Sequence, residues 1–260
     1  MLLSNPLDSF RLDDRLIVIT GASEGIGRTF AEAFSKCGAR VVLVARRQHK
    51  LEEIARAIIN AGGRAEVIPA DIMNLSDIQS LADSVANLIE SNERIVLVNN
   101  AGLGFSKMAL EVTEADWDGQ IDLHVKGTFF CSQRIGALML ERGYGKIINM
   151  SSAWAESTDV GKSVYCTAKA AIKHMTAALS TEWAPQGVRV NALAPSTTLT
   201  DFVKGTMGAN PDRAQRLKDR VKLGRFAEPV DVVGAAVFLA SSASDFFTGQ
   251  TLFVDGGFTT

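Results

Sequence analysis

The sequence predicts an α/β fold: one domain over residues 1–260, with a doubly wound, seven-stranded parallel sheet and helices on both faces. Three observations predict it. Short β-branched apolar runs alternate with longer segments of helical periodicity along the whole chain. The runs are apolar at nearly every position rather than every second one, which marks strands buried on both faces. No Pro/Ser-rich linker, repeat or low-complexity tract divides the 260 residues, and 47% hydrophobic content supplies a sizeable core.

The elements follow in order. The first strand is Arg15–Thr20, followed by a helix near 25–37. Arg40–Ala45 precedes a helix near 48–61, Ala65–Ala70 one near 76–91, and Ile95–Val98 a long one at 114–141. Lys146–Met150 precedes a helix near 163–184, Arg189–Ala194 one near 228–240, and Gln250–Val254 is the last strand. The stretch from Ser196 to Gly224 is weakly patterned, with Gly205, Gly208 and Pro211. A long loop with a short helix in a compact domain reads as a lid or binding loop.

The first strand runs into Thr20-Gly-Ala-Ser-Glu-Gly-Ile-Gly27 and then a helix. Gly21 allows a tight turn, Gly25 lets backbone approach a pyrophosphate, and Gly27 permits close helix–sheet packing. The helix N-terminus then faces the phosphates. This strand–turn–helix setting makes the fold a Rossmann fold; the bland alternative is a tight turn without a ligand. An acidic residue ending the second strand would accept from the adenosine ribose hydroxyls. Here the strand ends Ala45-Arg46-Arg47. Arg46 and Arg47 suit a 2′-phosphate, so NADP is expected over NAD, with NAD possible. Glu24 opposes that preference, and a solvated helix start is the other reading of the Arg pair.

Composition narrows the classes. A net charge of −2 gives no basic footprint for nucleic acid and no polybasic membrane patch. No apolar run reaches the length of a membrane span. Met1–Phe10 lacks the basic start and apolar core of a secretory leader, so a cytoplasmic protein is expected. Cys37, Cys131 and Cys166 show no metal or CxxC spacing, and His49, His124 and His174 are scattered, so no metal is expected.

Tyr165 and Lys169 lie one helical turn apart, and Ser152 lies thirteen residues before the Tyr. A free Tyr titrates near pH 10. A Lys ammonium one turn away is expected to favour the phenolate, and a Ser hydroxyl can polarise a carbonyl. The bland reading is a surface Tyr and Lys on an amphipathic helix.

With these residues in place, the chain resembles the classical short-chain dehydrogenase/reductase family from about Phe10 to Gly257. The loop TGASEGIG is similar to the family's TGxxxGxG, which implies cofactor contacts at Gly21, Ser23, Glu24, Gly25, Ile26 and Gly27. Asp71-Ile72 resembles the pair at the adenine, and Asn99-Asn-Ala101-Gly102 the NNAG signature that stabilises the sheet and borders the cofactor. Asn191-Ala-Leu-Ala-Pro195, with Thr198 and Thr200, resembles the stretch flanking the nicotinamide, although Ser196 stands where the family usually has Gly. The resemblance implies catalytic Ser152, Tyr165 and Lys169, with Lys169 also holding the nicotinamide ribose. It implies a homotetramer with two-fold axes, formed through 114–141 and 163–184.

One position departs from the family. Asp122-Leu-His124-Val-Lys-Gly127 places His124 where an Asn usually anchors a water that relays protons to the Lys. His124 can keep that relay, merely fill the space, or impair turnover. Ser151 adjoins Ser152, so the catalytic Ser rests on spacing. Trp154 either meets substrate or anchors its loop; Gly104, Phe105, Ala153 and Val160 are the other expected pocket walls.

The expected activity is NADP(H)-dependent interconversion of a carbonyl and a secondary alcohol on a small molecule. Candidates are a 3-oxoacyl thioester reductase or a sugar-acid, polyol or ketone dehydrogenase. Thr181, where carrier-protein reductases often carry an Arg, weighs against the first. A non-catalytic NADP sensor and a hetero-oligomer partner are the alternative classes.

Overall fold

The apolar runs become strands because a chain buried on both sides must pair its backbone N–H and C=O groups laterally. The computed structural model describes residues 5–260, so the first four residues of the Met1–Phe10 reading lie outside the described residues. The strands are β1 (Arg15–Thr20), β2 (Arg40–Ala45), β3 (Arg64–Pro69), β4 (Arg94–Asn99), β5 (Gly145–Met150), β6 (Val188–Pro195) and β7 (Thr251–Val254). All pair in parallel, in the order β3-β2-β1-β4-β5-β6-β7. The interior strand β1 is buried at all six positions, with Ile17 opposite Val41 on one side and Val96 on the other.

Strand alternation divides the interior into two cores. Ile17, Ile19, Val41 and Leu43 pack with Phe30 and Phe34 of α1 (Gly25–Lys36), Leu51 and Ile54 of α2 (Gln48–Asn60), and Leu239 of the last helix. Leu16, Val18, Val42 and Val44 point the other way. They meet Ile78 and Leu81 of α3 (Leu75–Leu88), and Ile135 and Met139 further along. Each such fully buried side chain contributes about 1.5–3 kcal/mol of apolar burial.

The predicted helix 114–141 is three pieces: α4 (Glu114–Ile121), a wide π-helical turn over Asp122–Lys126, and α5 (Gly127–Glu141). Thr113 and Asp116 cap α4 reciprocally. At Gly127 a Cβ would lie 2.8 Å from the Ile72 carbonyl oxygen, so only glycine lets α5 approach the loop after β3. The long helix α6 (Ser163–Trp183) follows as expected.

The 196–224 stretch holds more helix than predicted: α7 (Asp201–Gly208), capped by Thr200, and α8 (Pro211–Asp219), capped by Asn210. A 3-10 turn at Pro229–Val232 shortens the last predicted helix to α9 (Val233–Ala240). A third apolar cluster, Ala153, Trp154, Leu217, Val221 and Phe258, ties α8 to the turn after β5.

Candidate active site

The strand order reverses between β1 and β4, which leaves a crevice at the carboxyl ends of these strands. The glycine loop forms one wall. Gly21 and Gly25 have φ of +66° and +56°, a conformation only glycine takes without strain. A Cβ on Gly27 would lie 2.4 Å from both Asn100 Nδ2 and the Gly21 carbonyl oxygen. Asn100 Nδ2 donates to the carbonyls of Thr20 and Gly21, and Thr20 Oγ1 accepts from the N–H groups of Asn100 and Ala101. The glycine loop is thereby tied to the end of β4.

Asn99 ties the sheet together. Its Nδ2 donates to Ser132 Oγ and Asn149 Oδ1, both 2.9 Å away. Successive strand residues face opposite sides, so Asn99 serves the sheet while Asn100, absent from the predicted set, serves the glycine loop.

At the adenosine end, Arg47 bonds Ser23 Oγ at 3.0 Å and Glu24 at 2.9 Å. Lys50 lies 3.4 Å from the same Glu24 carboxylate, and Arg46 lies 3.8 Å from Asp71. Arg47, above all, holds the Glu24 carboxyl below its usual range. Glu24 thus stays ionised and is balanced by the two cations it pairs with. Lys50 was missed by sequence reasoning; its signal is the one-turn spacing from Arg47.

Ser152, Tyr165 and Lys169 converge. Lys169 is 4% exposed, and its Nζ donates to the Met150 carbonyl at 2.7 Å and stands 5.6 Å from the Tyr165 ring centroid. Burial holds Lys169 down to about 7. Burial also pushes the Tyr165 phenol up to about 12, against the pull of the Ser152 hydroxyl. Lys169 is not among the groups that move Tyr165, so the expected lowering is not seen: desolvation disfavours both charged forms. Near neutral pH Tyr165 keeps its proton, the form that donates to a carbonyl oxygen. The two serines separate clearly. Ser151 Oγ bonds the Lys169 carbonyl, while Ser152 sits beside Tyr165 and bonds the Pro195 carbonyl at 3.4 Å.

His124 occupies the π-helical turn, 1% exposed, edge-on to the Tyr165 ring at 5.5 Å. Nε2 lies 3.0 Å from the Leu103 carbonyl, and the buried Nδ1 has no partner among the described residues. Burial, then the charge of Lys169, holds the imidazole down to about 3. Trp154 stacks edge-on against Phe258 at 5.1 Å and anchors the turn after Ser152.

The stretch at 196–224 lies over the crevice. Thr200 Cγ2 is 3.0 Å from where a Gly25 Cβ would sit, and Phe202 Cε1 is 3.3 Å from a Gly104 Cβ position. Pro195 and Thr198 are buried beneath it, and Ser196 Oγ is buried without a partner among the described residues. Ile72 is buried beyond β3. A glycine cradle, a cationic adenosine end and unpartnered polar atoms at the inner end fit a dinucleotide. Among the described residues no group of three or more His, Cys, Asp or Glu side chains could hold a metal ion.

Comparison with known proteins matches this geometry. A family model described as enoyl-(acyl carrier protein) reductase matches residues 21–259. The D-threitol dehydrogenase of Mycolicibacterium smegmatis is 35% identical over 250 residues, 96% of this chain and 95% of that protein. The gluconate 5-dehydrogenase of Gluconobacter oxydans is 35% identical over 260 residues, 99% of each chain. A crystal structure of a gluconate 5-dehydrogenase from Burkholderia cenocepacia, in complex with NADP and tartrate, superposes with a TM-score of 0.92. It is 33% identical and covers 98% of this chain and 99% of that one.

Proposed function

The chain belongs to the short-chain dehydrogenase/reductase family, oxidoreductases of CH–OH groups, and from that premise we propose that it interconverts a ketone and a secondary alcohol of a polyol or sugar acid with NADP(H). The observation that carries this reading is the convergence of Ser152, Tyr165 and buried Lys169 beside the glycine cradle. The named relatives act on a polyol or a sugar acid, and Thr181 lacks the charge that would dock an acidic carrier protein.

The cofactor supplies hydride in reduction and accepts it in oxidation. Gly21, Gly25 and Gly27 bring backbone and the N-terminus of α1 to its phosphates. Ser23, Arg46, Arg47 and Lys50 hold the 2′-phosphate, with Ile26, Asp71, Ile72, Ala101 and Gly102 lining the dinucleotide. Pro195, Thr198 and Thr200 flank the nicotinamide, and Lys169 holds its ribose. Ser152 hydrogen-bonds the substrate oxygen, and Tyr165 donates its proton as alkoxide character develops; in oxidation it takes the proton back. Lys169 stabilises the phenolate, and His124 offers Nδ1 as an acceptor beside that proton path. No single observation favours a non-catalytic sensor, because the acid–base residues converge.

The substrate is a small molecule, and among the described residues no helix is long and apolar enough to cross a membrane. A homotetramer, a cytoplasmic location and a lid role for 196–224 complete the proposal.

Fluorescence titration with NADPH and NADH tests the cofactor reading. NADPH binds at least about tenfold more tightly, and Arg46→Asp erases or inverts that preference through charge. Equal affinities in both proteins would contradict the roles given to Arg46, Arg47 and Lys50.

A further inference from the structure

Lys162 is not explained by the chemistry above. It stands at the N-cap position of α6, where the helix dipole disfavours a cation. It is partly buried, and it forms no salt bridge among the described residues. Its ammonium, 5.3 Å from the Tyr165 ring centroid, donates to the Phe105 carbonyl at 2.5 Å. An ammonium has three donors, so two remain.

A second cation approaches the same segment. Arg213 of α8 reaches Ser106 Oγ at 3.5 Å and Asp159 at 3.2 Å. Two cations therefore converge on Phe105-Ser106 against one carboxylate, and the excess charge belongs to Lys162. Burial, then Arg213, holds Lys162 down to about 8. A cavity of about 400 Å³ opens beside it, lined among others by Met108, Val160, Cys166 and one carboxylate, Asp159, which Arg213 pairs. A residue that breaks local rules in this way marks a functional position. An incoming anion would relieve both the desolvation of the ammonium and its conflict with the helix dipole.

We propose that Lys162 reads a carboxylate on the substrate, so that the chain acts on sugar acids in preference to neutral polyols. On this reading a sugar acid whose reacting carbon sits at Tyr165 extends its carboxylate several bonds to the ammonium that lies 5.3 Å from the Tyr165 ring centroid. The charge-assisted hydrogen bond that forms is among the stronger polar contacts a pocket offers. Arg213, already paired with Asp159, adds long-range attraction. The inference rests on the alcohol–ketone reading given above and narrows its substrate class.

The test compares kcat/KM for gluconate and D-threitol, with NADP, in the wild-type protein, Lys162→Met and Lys162→Arg. The wild-type protein prefers gluconate. Lys162→Met lowers the ratio of gluconate to D-threitol kcat/KM by about ten- to a hundredfold, chiefly through KM for gluconate. Lys162→Arg retains most of the ratio. NADPH affinity, measured by fluorescence, shows that the Met variant is folded. Turnover of D-threitol without preference for gluconate overturns the Lys162 inference alone. An equal loss on both substrates in Lys162→Met does the same, because it indicates a structural role. No turnover of either compound overturns the polyol or sugar-acid reading and this inference with it.

Discussion

At the scale of the residue, burial rather than pairing governs Tyr165, Lys169 and His124. Tyr165 and Lys169 were legible as a pair from their one-turn spacing. Their electrostatics were not, because desolvation depends on what the rest of the fold places around them. The choice of Ser152 over Ser151 rested on spacing, and in the fold α6 and β6 give each hydroxyl a different carbonyl. His124 yields a pH prediction. Its imidazole is held at about 3 in the fold against 6.5 in an unfolded chain. Above pH 6.5 both states are neutral and the residue adds no pH dependence. As pH falls from 6.5 towards 3, the unfolded chain binds a proton that the fold excludes, so stability is lost across that window. His124→Asn therefore loses stability less steeply than the wild-type protein between pH 6.5 and 4, read as urea midpoints. Parallel curves would mean that His124 titrates alike in both states.

Elements were legible where periodicity was strong. β1 and β2 occupy the predicted residues, because a run buried on both faces leaves no ambiguity of period. The break at Asp122–Lys126 was not legible, because a single π-helical turn is a short insertion inside an otherwise α-helical run and carries no local sequence mark. Nor were α7 and α8 resolved within 196–224, where short polar helices rely on the caps Thr200 and Asn210 and on packing through Leu217 and Val221. The β1–α1 turn supplies the test at this scale. Gly27→Ala forces a Cβ against Asn100 Nδ2 and the Gly21 carbonyl. It should cost about 1–3 kcal/mol of stability and weaken NADPH binding at least about tenfold. Gly205→Ala, in α7 with open space around it, should leave both unchanged or gain slightly in stability. Denaturant titration and cofactor fluorescence read both variants, and a neutral Gly27→Ala would contradict the close-packed turn.

At the scale of the whole molecule, the sheet order makes the site. The reversal between β1 and β4 opens the crevice, the glycine loop and the Asn100 ties form its cofactor wall, and α6 delivers Tyr165 and Lys169 to its inner end. Exposed Trp117 on α4 and Phe129 on α5 lie on the segment expected to pair copies of the chain. Light scattering should return four times the mass of one chain, and a monomer would refute the tetramer. The central claim is that this crevice performs Tyr165-dependent hydride chemistry on a polyol or sugar acid. The most direct measurement is NADP-dependent turnover of such a substrate by the wild-type protein and by Tyr165→Phe, with NADPH binding measured in parallel. The account predicts wild-type turnover, a loss of about a hundredfold or more in kcat for Tyr165→Phe, and unchanged NADPH affinity. Undiminished turnover in Tyr165→Phe, or tight NADPH binding with no turnover in the wild-type protein, would contradict it.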